Sequence, residues 1–175
     1  MSSDHHTSAA SLTPRCAIVT LSDTRTPETD KSGQRIRELL LADRQTVSAY
    51  HLIPDDPAAL TAILKRLLAS PDIDAILTNG GTGIAARDQT LTAVESVIAT
   101  PLPGFGEIFR MLSYEQVGAA AILSRAIAGI SSPDASPEGR RKPIFAMPGS
   151  TKAVELAMSK LIVPELRHIL WELRK

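Results

Sequence analysis

Two kinds of hydrophobic pattern alternate along the chain. Short, dense apolar runs occur at 16–22 (CAIVTLS), 45–54 (QTVSAYHLIP), 74–79 (DAILTN) and 143–150 (PIFAMPGS). Each is rich in β-branched or aliphatic residues and ends in polar, Gly or Pro positions, which predicts strands. Between them lie longer segments with helical spacing. Ile36, Leu39 and Leu40 predict a helix that begins near Ser32. Leu60, Ile63, Leu64, Leu67 and Leu68 form one stripe behind Asp56 and Pro57, both helix-start signals. Further helices are predicted from Thr90 to about Ala99, where Pro101 and Pro103 would stop it, and over 106–118. Segment 119–130 (AAAILSRAIAGI) fits helix or strand. Segment 131–142 (SSPDASPEGRRK) reads as a loop, and 151–175 as helix with a kink or break at Pro164. Residues 1–14 are polar and read as a disordered tail ahead of one domain, 15–175. Alternating strands and helices predict an α/β fold: a three-layer α/β/α sandwich around a mainly parallel sheet.

Ligands of such sheets bind beyond the carboxyl ends of the strands. That rule selects four loops: Ser22-Asp23-Thr24, Pro54-Asp55-Asp56, 79–88 and 148–152. Gly80, Gly81 and Gly83 let backbone N–H groups approach an anion, with Thr78 and Thr82 adding hydroxyls. No Lys-Ser/Thr follows these glycines, so the loop is not a Walker A loop. Gly81-x-Gly83-x-x-Ala86 matches the dinucleotide fingerprint loosely but follows the third strand, and the match is discounted. Asp88 either caps the next helix or serves the pocket. One of Asp55 and Asp56 would cap a helix, leaving the other for Mg²⁺ beside substrate phosphates. Gly149, Ser150 and Lys152 form a second anion cradle. Together these predict a phosphorylated substrate with a nucleotide and Mg²⁺.

Composition narrows the classes. Among 175 residues, 19 basic and 19 acidic side chains cancel, so no general drive toward nucleic acid or an anionic membrane exists. No run of about 18 apolar residues predicts a membrane span, and no signal-peptide core is present. A cytoplasmic protein is expected. The single cysteine, Cys16, cannot form an internal disulfide and reads as a buried inert thiol. His5 and His6 read as solvated tail, and His51 and His168 as core or surface residues. No Ser-His-Asp or Cys-His set stands out.

The motifs LSDTR, DKSGQ, TNGGTG with RDQT, PGFGEIFRMLSYEQVG, ILSRAIAG and FAMPGSTKAV span nearly the whole chain. In combination they resemble the MoaB/MogA family of molybdenum cofactor biosynthesis proteins, related to the G domain of gephyrin, and the MoaB branch in particular. The resemblance implies the same sandwich, assembled as homotrimers or homohexamers. It implies a molybdopterin adenylyltransferase, which joins AMP from Mg·ATP to the terminal phosphate of molybdopterin and releases pyrophosphate. A molybdenum-insertion protein would be a further partner. The family's two acidic positions match Asp55, expected on Mg²⁺, and Asp88. The implied substrate-binding set is Ser22, Asp23, Thr78, Asn79, Gly80, Gly81, Thr82, Gly83, Arg87, Pro148, Gly149, Ser150 and Lys152. Retention of Arg87-Asp88 favours an active enzyme. The alternatives are a non-catalytic molybdopterin carrier or scaffold, an assembly module, and a nucleotide-binding regulator without a pterin requirement.

Overall fold

The computed structural model describes residues 11–84 and 90–175. Among them, β1 (Arg15–Leu21), α1 (Lys31–Ala42), β2 (Thr46–Ile53), α2 (Pro57–Ala69) and β3 (Ala75–Asn79) follow one another as strand-helix units. Then come α3 (Thr90–Glu95), β4 (Ile98–Pro101), α4 (Pro103–Val117) and β5 (Ile127–Ser131). The chain closes with β6 (Pro143–Met147), α5 (Thr151–Ala157) and α6 (Val163–Leu173). The described residues build a six-stranded sheet of order β2-β1-β3-β6-β5-β4. β2, β1, β3 and β6 run parallel, and β5 runs antiparallel to both of its neighbours.

Alternation along β1 divides the core. Cys16 and Ile18 enter one face with Ile36 and Leu40 of α1, Phe109 of α4 and Leu166 and Leu170 of α6. Ala17, Val19 and Leu21 enter the other with Leu60, Leu64 and Leu68 of α2 and Val94 of α3. A strand buried on both faces reads as a continuous apolar run, as β1 and β3 do. The predicted three layers follow from this division.

Four expectations change. The helix from Thr90 ends at Glu95, and Ile98–Pro101 is a strand. Its proline sits on the sheet's outermost strand, where a missing N–H donor is tolerated. Gly129 of β5 makes room for the first residue of that strand: a Cβ there would lie 2.3 Å from Ile98 Cγ2. The ambiguous segment divides into a 3₁₀ turn, Gly118–Leu123, and β5. Pro164 does not break the last helix. A π turn over Met158–Ile162 precedes it, and the Val163 N–H bonds to Met158 O, so the helix continues through the missing donor. The packed chain also begins before residue 15. Leu12 lies against the core, its carbonyl accepts from Arg167 Nε at 3.0 Å, and Pro14 O accepts from the Thr46 N–H at 2.9 Å. Most of the tail, including His5 and His6, lies outside the described residues.

Cys16 is fully buried, and burial first of all pushes its thiol up to about 12, so it stays protonated. His168 lies on the surface between Glu165 and Glu172, at 3.2 and 3.4 Å. No helix of the described residues is long and apolar enough to cross a membrane.

Candidate anion cleft at the carboxyl edge

The carboxyl ends of β1, β3 and β6 converge because their backbones touch. Gly80 has φ +101°, and a Cβ there would lie 2.3 Å from Leu21 O. Its N–H bonds to Met147 O at 3.2 Å, and a Cβ on Gly149 would meet Gly80 Cα at 3.0 Å. Only glycine permits this three-way approach. It leaves a cleft of ≈ 410 Å³ lined by Leu21, Ser22, Arg25, the 80–83 turn, Leu123, Ser124, Pro148 and Gly149. Two loops predicted from sequence, and the end of a third, therefore meet in one place.

Asp55 and Asp56 have separated as expected. Asp56 caps α2, accepting from the N–H groups of Ala58 and Ala59 at 2.7 and 3.4 Å. Asp55 turns toward the glycine loop, and its Oδ1 accepts from Thr90 Oγ1 at 3.2 Å. A Cβ on Gly81 would stand 2.4 Å from Asp55 Oδ1 and 2.0 Å from Thr90 Oγ1. Asp23 Oδ1 accepts from the Asp55 N–H at 3.0 Å and so holds its backbone. Asp88 and Arg87 lie outside the described residues.

Not every predicted group faces the cleft. Thr78 is fully buried and its hydroxyl donates to Phe145 O at 3.3 Å. Lys152 lies on a different groove, beside Gln116, Val117 and Glu155. Ser150 caps α5 by accepting from the Ala153 N–H at 3.2 Å. Ser22 does line the cleft, although its Oγ is engaged in its own turn, accepting from the N–H groups of Thr24 and Arg25. Thr82 borders the cleft as part of the 80–83 turn but is otherwise buried, and its carbonyl accepts from Arg125 Nε at 3.1 Å.

Sequence reasoning missed the scaffold beneath the cleft. Asp30 caps α1 through the Gly33 N–H at 3.1 Å and is fully buried. Ser32 Oγ lies 2.9 Å from Asp30 Oδ1 and 2.7 Å from Asn79 Oδ1, and Asn79 Nδ2 donates to Thr20 Oγ1 at 2.9 Å. Asn79 is thus a buried support for the cleft rather than part of its lining. Arg25 joins this network to the surface: Nη1 donates to Ser32 Oγ at 2.6 Å and to Asp30 Oδ1 at 3.2 Å, and Nη2 to Gly149 O at 2.9 Å. The motifs LSDTR and DKSGQ contain Arg25, Asp30 and Ser32, but no residue type there announces a contact across the fold. Thr90 is the other omission.

Burial pushes the Asp30 carboxyl up. Hydrogen bonds from Thr20, Tyr50, the Gly33 N–H and Ser32 outweigh it and hold the carboxyl below its ordinary value. A carboxylate depressed on folding stabilises the fold fully above its unfolded pKa, and that contribution is lost as pH falls through the folded value. The stability gap between wild type and Asp30→Asn is therefore expected to be widest above about pH 4 and to close on further acidification. Urea unfolding of both proteins across the acid range checks this; a gap independent of pH would contradict it.

Among the described residues no group of three or more His, Cys, Asp or Glu side chains gathers as a metal cage. Asp55 fits Mg²⁺ in its usual nucleotide setting, where one or two carboxylates hold it and phosphates and waters complete the shell.

The model of a probable molybdopterin binding domain matches residues 17–168. The chain belongs to this molybdopterin-binding family. Molybdenum cofactor biosynthesis protein B of Halalkalibacterium halodurans is 51% identical over 100% of this chain and 99% of its own. Its namesake in Bacillus subtilis is 46% identical with the same coverage. The crystal structure of a molybdenum cofactor biosynthesis protein B superposes with a TM-score of 0.86 at 48% identity, over 93% of this chain and 97% of that one. The tungsten cofactor synthesizing protein MoaB from Pyrococcus furiosus gives 0.82 at 34% identity, over 93% and 98%. A MogA structure at 23% identity shares the fold. The relatives at 46–51% identity are B proteins, in agreement with the MoaB branch expected from the motifs.

Proposed function

We propose that the chain acts in molybdenum cofactor biosynthesis as a molybdopterin adenylyltransferase. The observation that supports this reading is the backbone cleft with Asp55 set against its glycine loop. In the reaction, an oxygen of the pterin's terminal phosphate attacks the α-phosphorus of ATP. The bond from that phosphorus to the α–β bridging oxygen breaks, and pyrophosphate leaves with the electron pair. The nucleophile is already ionised, so no general base is required. Alignment and charge neutralisation carry such a step.

Each residue then has a task. N–H groups of the 80–83 turn hold phosphate oxygens. Arg25 spends three of its five donors on Asp30, Ser32 and Gly149 among the described residues. Nε–H and one Nη2–H remain for a phosphate, a role first assigned to Lys152. Asp55 would hold Mg²⁺, which supplies charge neutralisation to the phosphates when bound.

The test mixes purified protein with molybdopterin, ATP and Mg²⁺ and follows adenylylated pterin by mass spectrometry. Product supports the transferase. Bound pterin without product would favour a carrier. The oligomer implied by the family is part of this proposal. Ile108, Met111, Tyr114 and Val117 of α4, with Ile122 and Leu123, leave an exposed apolar surface that reaches the cleft at Leu123. Light scattering on the same preparation reads its assembly state.

A further inference from the structure

The 131–142 segment has no part in the cleft. Its last residues wall a larger cavity, ≈ 590 Å³, at the opposite edge of the sheet. Arg15 opens β1, Asp74 immediately precedes β3 and Lys142 immediately precedes β6, so the cavity lies at the amino ends of three strands. Strands of this length put about 15–20 Å between it and the cleft.

Its wall is a built structure. Asp74, 6% exposed, accepts from Arg15 N, Nε and Nη2 at 2.9, 3.0 and 3.2 Å and from Arg174 Nη2 at 3.4 Å. Lys142, 1% exposed, donates to the carbonyls of Leu67, Leu68 and Ser70 and anchors the segment to the end of α2. Gly139, at φ +67°, turns the chain so that Arg140 and Arg141 also line the cavity. Among the described residues Arg141 meets a neutral partner, Thr100 Oγ1 at 3.0 Å, and Arg140 pairs with Glu138 and with Pro71 O.

Five cations, Arg15, Arg140, Arg141 and Arg174 on the wall and Lys142 buried within it, thus stand against three carboxylates, Asp72, Asp74 and Glu138. The excess is about two positive charges, which matches a phosphomonoester of charge about −1.5 to −2. The guanidinium groups suit its oxygens bidentately. Ile73, Leu170 and Leu173 add an apolar wall, and the volume is that of a small-molecule site.

We propose that this cavity is a second anion site, separate from the reaction cleft, which takes a phosphomonoester carried on an apolar or aromatic body, the chemistry of a nucleoside monophosphate. The phosphate lies on Arg140 and Arg141, and the body lies on Leu170 and Leu173. The site does not depend on the transferase reading.

AMP is the probe, followed by amide NMR on the full chain. Arg140→Gln/Arg141→Gln is the test variant, because both side chains are surface residues and the Asp74 and Lys142 anchors stay intact. AMP is expected to shift the amides of Gly139, Ile73 and Leu173 in the wild type. In the variant the affinity read at those amides should fall about tenfold or more, while shifts at Gly80 to Gly83 remain. Shifts confined to Gly80 to Gly83 in the wild type would overturn the proposal. So would equal affinity at Gly139 and Leu173 in both proteins. Failure of the transferase assay would leave both readouts unchanged.

Discussion

Asp55→Asn is expected to fold like the wild type and to lose nucleotidyl transfer by about 10²–10³-fold, the usual cost of removing one preorganised charge from a reacting centre. The substitution separates charge from structure. The amide oxygen of asparagine can still accept from Thr90 Oγ1, and the backbone N–H stays on Asp23 Oδ1. The cap of α2 belongs to Asp56 and is untouched. What disappears is the negative charge beside Gly81, the group that the proposed reaction assigns to Mg²⁺. Single-turnover product formation paired with thermal unfolding reads both effects. Full activity at unchanged stability would remove Asp55 from the metal and from the reaction. Loss of activity together with loss of fold would make its role structural.

The second large effect falls on the fold. Gly80→Ala places a Cβ 2.3 Å from Leu21 O, a backbone atom that no rotamer change can move aside. The residue also holds φ +101°, where an L side chain is strained. Strain and forced separation of β1 from β3 together should cost about 3 kcal/mol or more. For a domain of this size that lowers Tm by roughly 10 °C. Gly104 is the control: a Cβ there has open space within 4 Å, so Gly104→Ala should unfold near the wild-type temperature. Equal midpoints for the two variants would show that the 80–83 turn relaxes more freely than its contacts imply. Gly81 differs in kind, because its crowding partners are the side chains of Thr90 and Asp55. Substitution there should disturb the site before the fold.

Local pattern carried most of the architecture. Dense apolar runs marked β1, β3 and β6, and the Leu60 to Leu68 stripe marked α2 behind its Asp56 cap. The strand missed was β4, and β5 was left open between helix and strand; both are short and lie at the antiparallel side of the sheet. Ile98–Pro101 contains only four residues and ends in proline, so its strand state depends on pairing with β5 rather than on its own periodicity. The π turn before Pro164 was likewise invisible, since packing of Met158 and Ile162 in the core holds the chain helical there.

The site shows the same division. Glycines after a strand and acidic residues at the next sheet edge are one-dimensional signals, and the structure brings the two they pointed to, Gly81 and Asp55, side by side. The choice between Asp55 and Asp56 was decided by which carboxylate reached the α2 N–H groups. Lys152 lies on another groove and Arg25 lines the cleft: a helix-start lysine is conspicuous in sequence, whereas the place of Arg25 depends on Asp30, Ser32 and Gly149, the last 124 residues away. By itself the sequence determined the fold class, the family and the loops that could bind an anion, because those follow from local periodicity, turn chemistry and motif order. The tertiary structure alone decided which side chains face the cleft and which are spent beneath it, because hydrogen-bond partners are assigned by distance in space, to which separation along the chain is no guide.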